Sequence, residues 1–363
     1  MNVARASPLS FLLPWPDTSC FEPIYNGSEW LTGNMEAQGL SMINCALPQA
    51  GKMASLCPSY MAAKYPIQSE AEQLESFLGE LEKEHVVKEI SGWETGFANL
   101  DRALDGILPG LYLLIGPPAC GKTSLAKQLL DQVIMYNNVP GVFFTLAETS
   151  KELRIKTLAR LSGLESREIR RGSAYLLHWY GVPKAHYGDS EQLPPSWEKL
   201  KRSAREAKSW LDLTYIVECE ANTDLREIEK CTGELRTARN TERVMVVVDD
   251  CQRLGRRDQT LADRLLTVTD ELQQLAVKLR IPIFPIWPNL GEIVESQPQA
   301  WSEKVASPDV ILVLEKDLER NKTLTEPNQA LTLHIVKNRS GEKGKLAFDF
   351  CPAFSKFVEV ESL

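Results

Sequence analysis

The stretch Gly116-Pro117-Pro118-Ala119-Cys120-Gly121-Lys122-Thr123 fits G-x-x-x-x-G-K-[ST], and it limits what this chain can fold into more than any other feature. The short apolar run Leu111–Ile115 before it reads as a buried strand, and Ser124–Leu130 after it reads as the start of a helix. A strand, a glycine-rich loop and a helix in that order make a phosphate cradle. Gly116 and Gly121 let the backbone turn tightly so that its N–H groups face anionic oxygens, and the helix adds its positive dipole end. Lys122 then reaches the β- and γ-phosphates of a nucleotide, and the Thr123 hydroxyl ligates Mg²⁺. The candidate nucleotide-binding segment is Gly116–Thr123 with Ser124, and the cofactors it implies are ATP and Mg²⁺.

The 363 residues, 43% of them hydrophobic, suffice for one large core with a smaller appendage. No apolar run approaches a membrane span, and Phe11-Leu12-Leu13 is too short for a signal sequence before Pro14 and Pro16. The expectation is a cytoplasmic protein with no membrane partner. A net charge of −8 lends no support to nucleic-acid binding, though it leaves room for a local basic track. The eight cysteines form no C-x-x-C pair and read as reduced thiols; alkylation of Cys120, inside the loop, is expected to block nucleotide binding. His85, His178, His186 and His334 show no metal-ligand spacing.

Residues 1–65 are rich in Pro, Ser, Gly, Asn and Met without a sustained period, and are expected to be poorly ordered. Residues 66–92 carry a helix: between Ser69 and Ile90, Leu74, Phe77, Leu78 and Leu81 recur at i, i+3, i+4, i+7. That face packs either on its own domain or on a neighbouring subunit. From 93 to 363 the pattern is α/β. The expected strands are Leu111–Ile115, Gly141–Leu146, Tyr215–Cys219, Val244–Asp249, Ile281–Ile286 and Val310–Leu314, with helices between most of them. Such a pattern predicts a mostly parallel twisted sheet flanked by helices. Ala330–Val336 and Lys345–Phe350 then read as a C-terminal antiparallel hairpin. Trp179, Tyr180 and Trp197 lie in a Pro- and charge-rich insertion; they read as cover for the sheet edge sooner than as base-stacking residues.

Two further features supply acids. Val246-Val247-Val248 ends in Asp249-Asp250, where a P-loop protein places the carboxylate that organises Mg²⁺. Glu148 follows the strand after the P-loop helix. It is either the base that orients water or an acid at a helix start capped by Thr149 or Ser150.

From about Trp93 to Val360 the order of elements resembles the RecA-like motor domain of DnaB-type replicative helicases. The resemblance rests on Thr95-Gly96-Phe97-x-x-Leu100-Asp101 leading into the P-loop, on Phe144–Ser150 and Val248–Leu254, and on Ile281-Pro282-Ile283. Its last block is Lys337-Asn338-Arg339-Ser340-Gly341. It implies a RecA-like P-loop NTPase fold, with Glu148 as catalytic base and Asp249 rather than Asp250 as the Mg²⁺ carboxylate. Arg339 would be an arginine finger reaching a neighbour's γ-phosphate, with Lys337 as its companion. It also implies ATP hydrolysis at the interfaces of a homo-oligomer, a hexameric ring, acting on single-stranded DNA as a helicase in replication. Two departures stand out. The family places a γ-phosphate-sensing Gln after its fourth strand, where this chain has Trp287-Pro288-Asn289; Pro288 has no side-chain polar group, which leaves Asn289 as a substitute. The family's N-terminal helical domain has no counterpart in residues 1–65. The alternative these departures favour is a regulatory or recombination-associated ATPase of the same fold that uses ATP as an assembly switch without unwinding.

Overall fold

Short apolar runs buried on both faces can only sit inside a sheet covered twice, and the chain builds that arrangement around the phosphate loop. A computed structural model describes residues 90–171, 195–220, 223–255, 258–288 and 307–360, and before them residues 74 and 77–79. The chain divides into two compact units, Met1–Leu81 and Glu82–Leu363. In the first, residues 74 and 77–79 are helical, and Leu74, Phe77 and Leu78 are each more than half exposed. The expectations for residues 1–65 and for most of the 66–92 helix lie outside the described residues, as do Trp179, Tyr180 and Asn289; residues 90–92 are described and are not helical, so the expected helix does not extend over them.

The second unit begins with helix α1 (Ala98–Leu104), strand β1 (Gly110–Gly116), α2 (Lys122–Asn137) and β2 (Gly141–Thr145). Then come α3 (Ser150–Ser162), α4 (Ser166–Arg171), α5 (Pro195–Glu206), the single turn α6 (Lys208–Leu211) and β3 (Thr214–Glu218). Next are α7 (Leu225–Arg239), β4 (Met245–Asp249), α8 (Leu261–Leu279), β5 (Pro282–Pro288) and β6 (Val310–Lys316). The short α9 (Leu318–Asn321) leads to β7 (Gln329–Asn338), β8 (Gly344–Cys351) and β9 (Lys356–Val360).

The strands of the nine-stranded sheet run in the order β3-β2-β4-β5-β1-β6-β7-β8-β9. From β3 to β6 neighbours are parallel, and from β6 to β9 they are antiparallel. All eight expected strands are present with ends shifted by a few residues; β9 is an additional one. Every residue of β1, β2 and β4 is buried. Alternate side chains feed two cores. Tyr112 and Leu114 join Leu125, Leu129 and Val133 of α2 and Leu100 of α1, while Leu111, Leu113 and Ile115 join Val268 and Leu272 of α8. Helix starts are fixed locally: Thr149 and Glu152 form a reciprocal capping box on α3, and the Asp224 carboxylate accepts two N–H groups of α7.

The antiparallel extension floors the phosphate loop. Phe350 and Phe357 of β8 and β9 stack with centroids 4.4 Å apart, directly against Gly121. Trp197 sits on α5, which packs against α3 and buries Leu200.

Candidate nucleotide-binding site

The phosphate loop leaves β1 at Gly116 and enters α2 at Lys122. Gly121 has φ +86°, and a Cβ there would stand 2.8 Å from the Phe350 ring, so conformation and packing both demand glycine. A Cβ on Gly116 would meet the Leu314 carbonyl at 2.6 Å. Ala119 holds φ +60° and Pro118 is exposed, so the crown of the loop is formed by residues that turn outward from the sheet. The Lys122 ammonium donates to the Gly116 and Pro117 carbonyls at 2.7 and 2.8 Å, and so lies back along the loop. Burial pulls its pKa down, while the Cys120, Asp249 and Asp250 charges push it up. Cys120 differs from expectation: it is fully buried behind the loop, and burial raises its thiol pKa against the pull of Lys122. A reagent therefore cannot reach it in the folded loop.

The acids converge on the same strand ends. Thr123 donates its hydroxyl to Asp249 Oδ2 at 2.9 Å, although β5 lies between β1 and β4 in the sheet. Asp249 is 3% exposed; burial pushes its carboxyl up to about 6, opposed by the Thr123 hydrogen bond and reinforced by Glu148 and Asp250. Asp250 turns away in a left-handed conformation (φ +66°) and pairs with Arg253 at 2.7 Å. Of the two adjacent carboxylates, only Asp249 thus meets the phosphate-loop hydroxyl. A hydroxyl and a buried carboxylate this close are oxygen donors suited to a hard divalent ion. Among the described residues no group of three or more His, Cys, Asp or Glu could hold a metal. The Thr123 hydroxyl and the Asp249 carboxylate would suit Mg²⁺, with phosphate and water oxygens completing its shell.

Glu148 sits in the turn between β2 and α3, tied by its N–H and carbonyl to the Thr145 hydroxyl at 3.0 and 2.7 Å. Its Oε1 pairs with Lys156 at 3.0 Å; its Oε2 is buried without a partner among the described residues. Lys156 also reaches the Ser124 hydroxyl at 3.4 Å, linking α3 to the start of α2. The phosphate loop, Glu148 and Asp249 stand at the C-terminal ends of β1, β2 and β4, the side on which open α/β sheets bind ligands.

Arg339 and Lys337 are elsewhere. Arg339 follows β7 and pairs with Asp309 at the start of β6, beside Leu111 at the start of β1. Lys337 lies on β7 opposite Ile311. The seven-residue β1 separates this corner from Gly116 by roughly 20 Å. Arg339, held at that corner by Asp309, cannot reach its own chain's phosphate loop. At the end of β5, Pro288 stands in register with Gly116.

Sequence reasoning missed Lys156 and Asp309. Lys156 has only a faint signal: it stands one helical turn after Glu152 on α3, eight residues beyond Glu148. Asp309 has only its place ahead of an apolar strand.

The family model described as "DnaB-like helicase C terminal domain" matches residues 92–359. The replicative DNA helicase DnaB of Treponema pallidum (strain Nichols) is 25% identical over 284 residues, 74% of this chain and 56% of that protein. That of Leifsonia xyli subsp. xyli is 21% identical over 288 residues, 75% of this chain and 56% of that protein. The chain spans little more than half the length of these relatives. Among solved structures, an isolated ATPase domain superposes with a TM-score of 0.64 at 20% identity, covering 82% of this chain and 100% of that one. A DnaB-like replicative helicase, solved in a study of its interactions with primase, gives 0.64 at 20% identity over 81% of this chain and 69% of that one. At that identity the likeness is one of fold.

Proposed function

Because the chain belongs to the family of DnaB-like helicase C-terminal domains, we propose that it is an ATP-hydrolysing motor that acts on single-stranded DNA as a homo-oligomeric, hexameric ring. The observation that carries the reading is the convergence of Lys122, Thr123, Asp249 and Glu148 at one end of the sheet, with Arg339 at the other.

The loop N–H groups and Lys122 bind the β- and γ-phosphates. Thr123 and Asp249 hold Mg²⁺, which supplies positive charge beside those phosphates. Glu148 Oε2 accepts from the attacking water and orients it, while Lys156 fixes the other carboxylate oxygen. Arg339, with Lys337, enters the site of a neighbouring copy and meets charge as it develops on the γ-phosphate. A finger that sits roughly 20 Å from its own phosphate loop makes turnover depend on assembly. The helical residues Leu74, Phe77 and Leu78, each more than half exposed, dock on the adjacent copy. Deleting residues 1–92 is expected to leave folded monomers; rings of unchanged size in sedimentation would remove this role.

The deciding measurement is steady-state ATP hydrolysis with and without single-stranded DNA, beside Glu148→Gln. DNA-stimulated turnover lost in that variant supports the motor. Turnover indifferent to DNA moves the reading to a regulatory ATPase that uses ATP as an assembly switch.

A further inference from the structure

We propose that Asp309 is the positioning residue of the Arg339 guanidinium, holding it extended from the protein surface in the pose it presents to a neighbouring copy. The inference rests on the reading of Arg339 as a finger.

A surface arginine ordinarily samples many rotamers, and immobilising it on binding costs free energy. Here the arm is 75% exposed but its anchor is not: the Asp309 side chain is 17% exposed. The two carboxylate oxygens divide their partners. Oδ2 accepts from the Leu111 N–H and from Gln273 Nε2, each at 3.0 Å. That leaves Oδ1 for Arg339 Nη1, also at 3.0 Å. The backbone is fixed as well, because the Arg339 N–H donates to the Asp309 carbonyl and the Asp309 N–H to the Leu111 carbonyl, both at 3.0 Å. The start of β1 and helix α8 therefore clamp one carboxylate, and the carboxylate clamps the guanidinium. Burial pushes the Asp309 pKa up, but the hydrogen bonds from Leu111, Gln273 and Arg339 outweigh it and keep the group below the usual carboxylate range, so it stays charged. A guanidinium has five N–H donors, and only Nη1 is committed to this carboxylate, which leaves the rest of the fork for an anion. Preorganisation of this kind lowers the barrier without adding a contact to the reacting atoms.

The test is a double-mutant cycle on the full chain, read as steady-state ATP hydrolysis at protein concentrations where assembly is complete. Arg339→Ala is expected to lower kcat by about a thousandfold or more. Asp309→Asn keeps the shape and an oxygen for the Leu111 N–H, and is expected to lower kcat by about tenfold with KM for ATP within about twofold. In the Arg339→Ala background Asp309→Asn should cause no further loss, because it acts only through the finger. An unchanged or raised kcat in Asp309→Asn overturns the proposal, and so does an undiminished tenfold loss on top of Arg339→Ala. Wild-type turnover in Arg339→Ala overturns the finger itself, whereas a normal Asp309→Asn beside an inactive Arg339→Ala overturns only the positioning role. Should Asp309→Asn fail to fold, Asp309→Ser, which keeps a smaller oxygen acceptor, enters the same cycle.

Discussion

The Lys156 ammonium lies 3.0 Å from Glu148 Oε1, while Oε2 of the same carboxylate is buried with no partner among the described residues. The ion pair fixes the side chain from one side, and the turn that carries it is pinned by Thr145, so the other oxygen has a set direction. Glu148→Gln is expected to lower kcat by about 10²–10⁴-fold and to leave nucleotide affinity within a few-fold. The amide can still accept from Lys156, but it cannot take the water's proton. A single-turnover rate within twofold of the parent would remove Glu148 from the chemistry. Lys156→Met, which frees the carboxylate, should cost less, on the order of tenfold in kcat.

Asp249 trades stability for a site. Its carboxyl, pushed up to about 6 by burial, ordinarily titrates at 3.8. Between those values the folded chain keeps a proton that the unfolded chain releases, so stability falls as pH rises through about 4 to 6 and stays low above it. Asp249→Asn removes that penalty. With Mg²⁺ chelated, it should raise the unfolding free energy by roughly 2–3 kcal/mol at pH 7.5 and by almost nothing below pH 4. Denaturant midpoints measured at the two pH values check this; an equal shift at both would mean that packing, not charge, is responsible.

The parallel strands were readable because each is a short apolar run between helical patterns, and burial on both faces leaves no other place for it. The phosphate loop was readable because its chemistry lies in eight consecutive residues. Between Asp249 and Asp250 the residues alone left the choice open; the left-handed turn at Asp250 separates the two, sending one side chain to Arg253 and leaving the other in the strand beside Thr123. Lys156 and Asp309 escaped because their meaning lies in partners 8 and 30 residues away, fixed by tertiary packing. Strand β9 escaped because Lys356–Val360 sets the charged Lys356 and Glu359 among Phe357, Val358 and Val360 just after a 3₁₀ turn, and so is neither a continuous apolar run nor a clean alternation.

Cys120 gives a second check on the loop. Its sulfur would stand 3.0 Å from a Cβ on Gly116, so it is part of the loop's inner packing. Alkylation by iodoacetamide in the native protein should be at least ~100-fold slower at Cys120 than in denaturant, and should follow labelling of the half-buried Cys231 and Cys351. Peptide mass mapping over time reads the order. Rapid native labelling of Cys120 would show that the loop opens readily.

Asp131 is buried at the joint between the two helices that carry the site. Its carboxylate accepts from Lys127 of α2 and from Arg160 of α3, and from the Thr157 hydroxyl at 2.7 Å; Arg160 also donates to the Ser355 carbonyl at 3.2 Å. Burial draws the pKa values of both cations down, and the Asp131 charge opposes it. Asp131→Asn leaves two buried cations around a neutral group, the situation in which breaking a buried pair costs about 3–5 kcal/mol. Replacing the ions together by apolar groups would cost far less, so the large effect should be specific to removing one sign. The urea midpoint of Asp131→Asn against that of Lys127→Met/Asp131→Leu/Arg160→Met measures the difference. A loss under about 1 kcal/mol for the single change would mean that water reaches the cations and screens them. The nucleotide affinity of whatever fraction remains folded should match the parent, since Asp131 bonds to helix and not to loop.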